Sequence, residues 1–308
     1  MRIGLLLSAL AFALMRPAAP APTPTPAASA GDAYDRDVEA WRARRLARLQ
    51  AENGWLTLTG LFWLEPGKNA VGSDPANRVV LPAGKAPAYV GSLDRSGDEV
   101  TFHAAPGSGV TEDGRPVTTR SLRSDADGSP TVLAIASISF YVISRGDRLG
   151  VRVKDSLSEV RRSFHGIEAF PIDAKWRVEA HFEPYDPPKA IAVPNILGSV
   201  DSEKCPGALV FEIDGKTYRL DPVLEKGETE LFVIFGDRTN GKETYGAGRF
   251  LYVPPPVDGR TVLDFNKSYN PPCAFTPYAT CPLPPPENKL TIPIPAGEKA
   301  YAHRVSAP

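Results

Sequence analysis

The sequence predicts a mainly β chain: an N-terminal amphipathic helix, then a β-sandwich, then a second β-rich sandwich or barrel-like module. Three observations carry this. Val38, Trp41, Leu46 and Leu49 recur at helical spacing between Asp35 and Asn53, with Gly54 just beyond. After Gly54, short β-branched or aromatic runs cut by Gly, Pro and Asp continue to the C-terminus. Between two such runs, Asp214-Gly215 supplies the positive φ angles of a tight hairpin linking Val210–Ile213 to Lys216–Leu220.

Within the first β half the patterning predicts strands over 55–58, 78–81, 99–103, 131–135, 139–145 and 150–154. In the second half it predicts 176–182, 190–193, 207–213, 216–220, 231–235, 248–252 and 290–294. The polar stretch Asp155–Arg162 places a boundary near residues 155–175. The helix and first sandwich then occupy 31–155 and the second module 156–308.

Residues 1–15 combine one arginine with about a dozen apolar residues, too few to span the ~30 Å hydrocarbon core, and read as a secretion signal. Residues 17–30 are a Pro/Ala/Thr-rich leader, with small residues suited to cleavage after Ala30 or earlier, near Ala18 or Ala19. The expected product is exported, periplasmic or secreted, with no membrane span after signal removal. The 308 residues are 42% hydrophobic, enough for a sizeable core. Lys plus Arg number 35 against 36 Asp plus Glu and are scattered, so no nucleic-acid face is expected. In an oxidising compartment the close pair Cys273 and Cys281 is expected to form a disulfide, leaving Cys205 free. In a reducing one the same pair becomes a candidate thiol site.

Three segments carry a family resemblance: Gly54–Leu64 (GWLTLTGLFWL), Glu243–Leu251 (ETYGAGRFL) and Leu263–Pro285, which contains Asn270-Pro271-Pro272-Cys273. Together they resemble the DUF1684 family, a domain of unknown function, over about Tyr34 to Tyr301. The resemblance implies no catalytic residue. The first β half is also similar to forkhead-associated β-sandwiches through Val71-Gly72-Ser73, Arg78–Pro82, Asp113–Val117 and Phe140–Ile143. Those domains bind phosphothreonine through an Arg after the first Gly and a Ser-Arg-x-His turn. Ser73 and Ala86–Val90 stand there instead, so the phosphate donors are missing.

The densest polar constellation is Asp237, Thr239, Glu243, Thr244, Tyr245 and Arg249, followed by Asp264, Asn266, Tyr269 and Asn270. Strand alternation over 248–252 puts Arg249 and Leu251 on one face, from which Arg249 can point into a cavity mouth and clamp an anion bidentately. The structural alternative is an internal bridge from Arg249 to Asp264 or Glu243. The oxygens of Asp237, Asp264, Asn266 and Asn270 match no metal-loop spacing, so no metal is expected. No Gly-x-Ser-x-Gly, Ser-x-x-Lys or ligand-spaced His pair is present, and no cofactor is expected. His165 is the one histidine considered as a base, and a surface role suits it better. Trp55, Phe62 and Trp63 read as core packing rather than a stacking platform. The expectation is a small anionic or carbohydrate-like ligand in a polar pocket of the second module. The competing expectations are a hydrolase using Glu243 and Asp264 with Arg249, or a purely structural envelope protein.

Overall fold

The computed structural model describes residues 30–301, so the expected signal and leader, residues 1–29, lie outside the described residues. Helix α1 (Ala30–Gln50) buries Val38 and Leu49 to within 1% exposure, as the apolar spacing predicts. It ends at Gln50, and the chain turns off it at Gly54, where a Cβ would meet the Leu49 carbonyl at 2.4 Å, a gap only glycine leaves open. Trp55–Thr57, predicted as the start of a strand, instead forms a single 3₁₀ turn in which Thr57 Oγ1 donates to the Gly54 carbonyl. Leu56 and Trp55 pack there with Leu49, Phe164 and Phe275.

The strands of the first unit are β1 (Leu58–Trp63), β2 (Gly67–Gly72), β3 (Val79–Val80), β4 (Gly91–Ser96), β5 (Glu99–Ala104) and β6 (Thr111–Glu112). β7 (Arg115–Pro116), β8 (Thr119–Leu122), β9 (Leu133–Ile135), β10 (Ile138–Arg145) and β11 (Arg148–Asp155) complete it. They form two sheets, β1-β11-β10-β9-β6-β7 and β3-β2-β4-β5-β8, sharing one apolar core. Phe102 of β5 meets Phe140 of β10 across it, edge to face at 5.8 Å. Leu149, Val151 and Val153 of β11 turn inward to that core, so Gly150, Arg152 and Lys154 occupy the opposite face. Ser73 Oγ donates to the Ala86 carbonyl within its own loop.

A polar connector holds the short helix α2 (Glu159–Arg162), capped by Ser158 Oγ accepting from the Arg161 amide. Then follow β12 (Arg177–Pro194), β13 (Val200–Ile213), β14 (Lys216–Leu220), β15 (Leu231–Phe235), β16 (Arg249–Val253) and β17 (Arg260–Asp264). One sheet runs β14-β13-β12-β17, and β15 pairs with β16 beside it. The two strands predicted over 176–182 and 190–193 are a single strand, β12, whose register against β13 shifts between Pro184 and Lys189. Pro184, Pro187 and Pro188 have no amide to donate, so the ladder is interrupted there and resumes beyond. The Asp214-Gly215 hairpin forms as predicted, with φ of 50° and 71° and Ile213 opposite Lys216.

Leu290–Ile294 is not a strand. Leu290 donates to the Gly236 carbonyl, the Arg238 amide to the Ile292 carbonyl, and the Ile294 amide to the Asp237 carboxylate. Cys273 and Cys281 are joined by a disulfide with Cα atoms 6.2 Å apart, and Cys205 is a free, buried thiol that burial pushes up to about 11. Cys281 packs with Leu58 of β1, Val193 of β12 and Phe250 of β16, so the stapled segment bridges the two units. Replacing both Cys273 and Cys281 by serine is expected to lower stability by about 2–3 kcal/mol, read as a shifted urea midpoint.

Candidate functional site

Arg249 is the largest fully buried side chain of the described residues, and it lines neither the large cleft nor the shallow depression described below. Its Nη2 donates to Asp237 Oδ2 at 2.8 Å and to the Ile294 carbonyl at 2.8 Å, while Nη1 donates to the Ala296 carbonyl. Asp237 Oδ1 in turn accepts from the Thr239 amide and hydroxyl at 2.8 and 2.6 Å, and from the Ile294 amide. The internal bridge of the structural alternative therefore exists, but with Asp237 rather than Asp264 or Glu243. Its role is to anchor residues 290–296, which lack a strand ladder, onto β16. Alternation along β16 holds as predicted; the opposite face, carrying Phe250 and Tyr252, is the one that lines a cavity.

The other candidates separate. Glu243 is exposed and opens with His165 onto a shallow depression beside Lys242 and Lys299, whereas Asp264 lines a large cleft elsewhere. The two carboxylates thus share no groove across which acid and base roles could be divided. Tyr245 is half-buried, and burial raises its phenol above its ordinary value. Asn266 is fully buried, accepting from the Asp173 amide and donating to the Asp173 carbonyl and to Tyr34 Oη. Asn270 is equally buried: its amide donates to Glu298 Oε2 at 2.7 Å and its side chain to the Lys299 carbonyl. Of the constellation, Asp264 and Tyr269 face the cleft, Asp264 accepting from Tyr34 Oη at 2.8 Å and lying 3.5 Å from Lys267 Nζ. No group of three or more His, Cys, Asp or Glu residues is placed to hold a metal ion among the described residues.

The cleft has a volume of about 1580 Å³ and lies between α1, the first sandwich and the second unit. The helix supplies Tyr34, Asp37, Trp41, Arg45 and Arg48, whose spacing of three to four keeps them on one face. The second unit supplies aromatic rings in a row. Trp41 lies 6.1 Å from Tyr269, Tyr269 stacks on Tyr252 at 6.3 Å, and Tyr252 stacks on Phe232 at 4.9 Å. The Arg45 guanidinium sits 4.6 Å above Tyr269 while its Nε donates to Glu298 at 3.2 Å. Burial raises the Glu298 carboxyl, and Arg45 opposes the rise. At the far end of the row Tyr252 Oη donates to Glu225 at 2.7 Å. Burial, and then the neighbouring Asp201 and Glu225, raise the carboxyl of Glu203 in the same cleft.

On the sandwich side the cleft is lined by Trp55, Arg145, Arg152 and Thr280. Lys154, two residues along β11 from Arg152, donates to the Asn53 carbonyl and faces the rings of Trp55 and Tyr141 at 5.8 and 5.7 Å. Burial, and secondarily the charge of Arg152, push its amine down to about 8. An unfolded lysine keeps its proton to about pH 10.4, so between these values the unfolded chain binds more protons and folding gains stability as pH rises. Relative to Lys154→Met, the wild-type urea midpoint is expected to rise between pH 7 and 10; a constant difference would remove Lys154 from this account.

Sequence reasoning missed Arg152, Thr280, Tyr252 and the helix face as cleft walls. One signal was present, an arginine set between two inward valines in Val151-Arg152-Val153.

The architecture defines a two-unit, mainly β protein with a deep cleft at the junction. The chain belongs to the DUF1684 family, a protein of unknown function, whose model matches residues 162–299. That match covers the second unit, so the Gly54–Leu64 segment falls outside it and the family likeness is narrower than the sequence resemblance implied. An uncharacterised protein of Haloarcula marismortui, with a solution NMR structure, is 31% identical over 46% of this chain and 81% of its own, with a TM-score of 0.40. None of the curated proteins compared with the chain matches it.

Proposed function

We propose that the protein is an exported binding protein that holds a small anionic or carbohydrate-like molecule in the cleft at the junction of its two units. The observation that carries the reading is the row Trp41, Tyr269, Tyr252 and Phe232 along one wall of a 1580 Å³ cleft. Ligand sites usually occupy roughly 300–1,000 Å³ and combine aromatic walls with a few convergent polar groups. This cleft has room for an elongated ligand, whose flat or apolar body the rings stack against while the charged rim orients its ends. Export is supported by the composition of residues 1–15 and by the Cys273–Cys281 bond, which suits an oxidising compartment.

The test uses 8-anilinonaphthalene-1-sulfonate, a flat molecule with one negative charge. Saturable binding to one site of the folded protein is expected. Tyr252→Ala, at a ring 39% exposed and so tolerant of truncation, should weaken it by about 1 kcal/mol, roughly fivefold. Absence of saturable binding, or binding indifferent to Tyr252, would overturn the reading.

A further inference from the structure

Among the described residues, every deeply buried guanidinium except one is matched by a carboxylate. Arg249 has Asp237 at 2.8 Å and Arg45 has Glu298 at 3.2 Å, while the half-buried Arg145 has Asp125 at 2.8 Å. Arg152 is 4% exposed and has no carboxylate within ion-pair distance among the described residues. Its contacts are long and neutral: Nη1 to Tyr141 Oη at 3.4 Å, Nη2 to Thr280 Oγ1 at 3.3 Å, and the Trp55 ring at 5.0 Å. Its Nε is buried with no hydrogen-bond partner. The same Thr280 hydroxyl also accepts from Arg145 Nε at 3.0 Å, and Lys154 follows on the same strand face, so further positive charge crowds the site.

An arginine cannot shed its proton to escape such burial, and an uncompensated buried charge is costly. The missing partner is negative, and Arg152 lines the cleft from which it can arrive. The geometry points to Arg152 as the anchor of the cleft's ligand, and to a small molecule with a single terminal oxyanion as that ligand's class. A planar guanidinium with a free Nε suits a carboxylate, sulfonate or phosphate end, which it can hold through two donors. That only one end is anionic follows from the other side of the cleft. Asp201, Glu203 and Glu225 line it without a cationic partner among the described residues and repel a second negative group. The body between then lies along the Trp41–Phe232 row. This inference rests on the cleft being the ligand site.

The experiment compares 8-anilinonaphthalene-1-sulfonate with its uncharged counterpart N-phenyl-1-naphthylamine on the full chain, followed by displacement with octanoate, octyl phosphate and octanamide. In the wild type the sulfonate is expected to bind roughly tenfold or more tightly than the neutral dye, with a preference that shrinks in high salt. Arg152→Gln should bring the two dyes to equal affinity without weakening the neutral one, and Arg152→Lys should restore part of the difference. Displacement by octanoate but not octyl phosphate assigns a carboxylate, and the reverse assigns a phosphate monoester. Equal binding of both dyes to the wild type, or displacement by octanamide as readily as by the anions, overturns the anchor while leaving the cleft reading intact. That comparison needs no variant and stands even if Arg152→Gln fails to fold. Binding of neither dye removes the cleft reading and this inference together.

Discussion

Arg249→Met is expected to lower the free energy of unfolding by about 3–5 kcal/mol, because it removes one member of a buried ion pair and strands the other. Asp237 would keep its hydrogen bonds from Thr239 and Ile294 but lose the only cation that contacts it among the described residues, inside a site with 0% side-chain exposure. The Ala296 carbonyl would lose its donor as well, and the Ile294 carbonyl would keep only the Ala296 amide. Urea denaturation checks this, and the double variant Arg249→Met with Asp237→Leu should recover part of the loss, since an apolar pair leaves no charge stranded. A loss below about 1 kcal/mol for the single variant would mean that the pair is solvated and does not hold residues 290–296 in place. The same variant should leave binding in the cleft unchanged under conditions where it remains folded, because Arg249 lines no part of it.

Phe265→Ala should cost about 3–5 kcal/mol through lost burial and the cavity left behind. Phe265 is fully buried against Phe211 at 5.8 Å and Phe235 at 5.5 Å, and it joins the sheet of β12–β14 and β17 to the β15–β16 pair. It also begins the 3₁₀ turn Phe265–Lys267 that follows Asp264. Loosening that turn should disturb the contacts of Tyr34 with Asp264 and Asn266, and so the seating of α1 over the cleft. Fluorescence of Trp41, about two turns along the helix from Tyr34, should therefore change in the folded variant. A stability loss with an unaltered Trp41 environment would separate the second core from the cleft.

The parts of the fold that sequence patterning reached are those in which local chemistry decides the conformation. Helix α1 declares itself by apolar spacing, and the β13–β14 hairpin by Asp-Gly at its turn. β2 and β4 escaped because Gly-Lys-Asn-Ala-Val-Gly and Gly-Ser-Leu-Asp-Arg-Ser carry too few branched or aromatic residues, and their pairing is held by neighbours on both sides. Leu290–Ile294 misled in the opposite sense: its composition suits a strand, yet side chains and the Gly236–Arg238 backbone satisfy it. The polar run from Asp237 to Arg249 was visible, and so was the alternation of β16. Which face of β16 meets open space depends on α1, more than 200 residues away in the chain, and no local pattern carries that. Arg152 shows the same limit, since an arginine between valines becomes informative only once the absence of a carboxylate around it can be seen.

The most direct test of the cleft as the ligand site is amide hydrogen exchange of the folded protein with and without saturating 8-anilinonaphthalene-1-sulfonate. The account predicts slowed exchange in α1, in β11 around Arg152, in β16 around Tyr252 and in the Thr280–Pro282 segment. Protection confined to residues 163–168 and 242–246, around the shallow depression that holds Glu243 and His165, would contradict it and return the site to the polar run of the second unit.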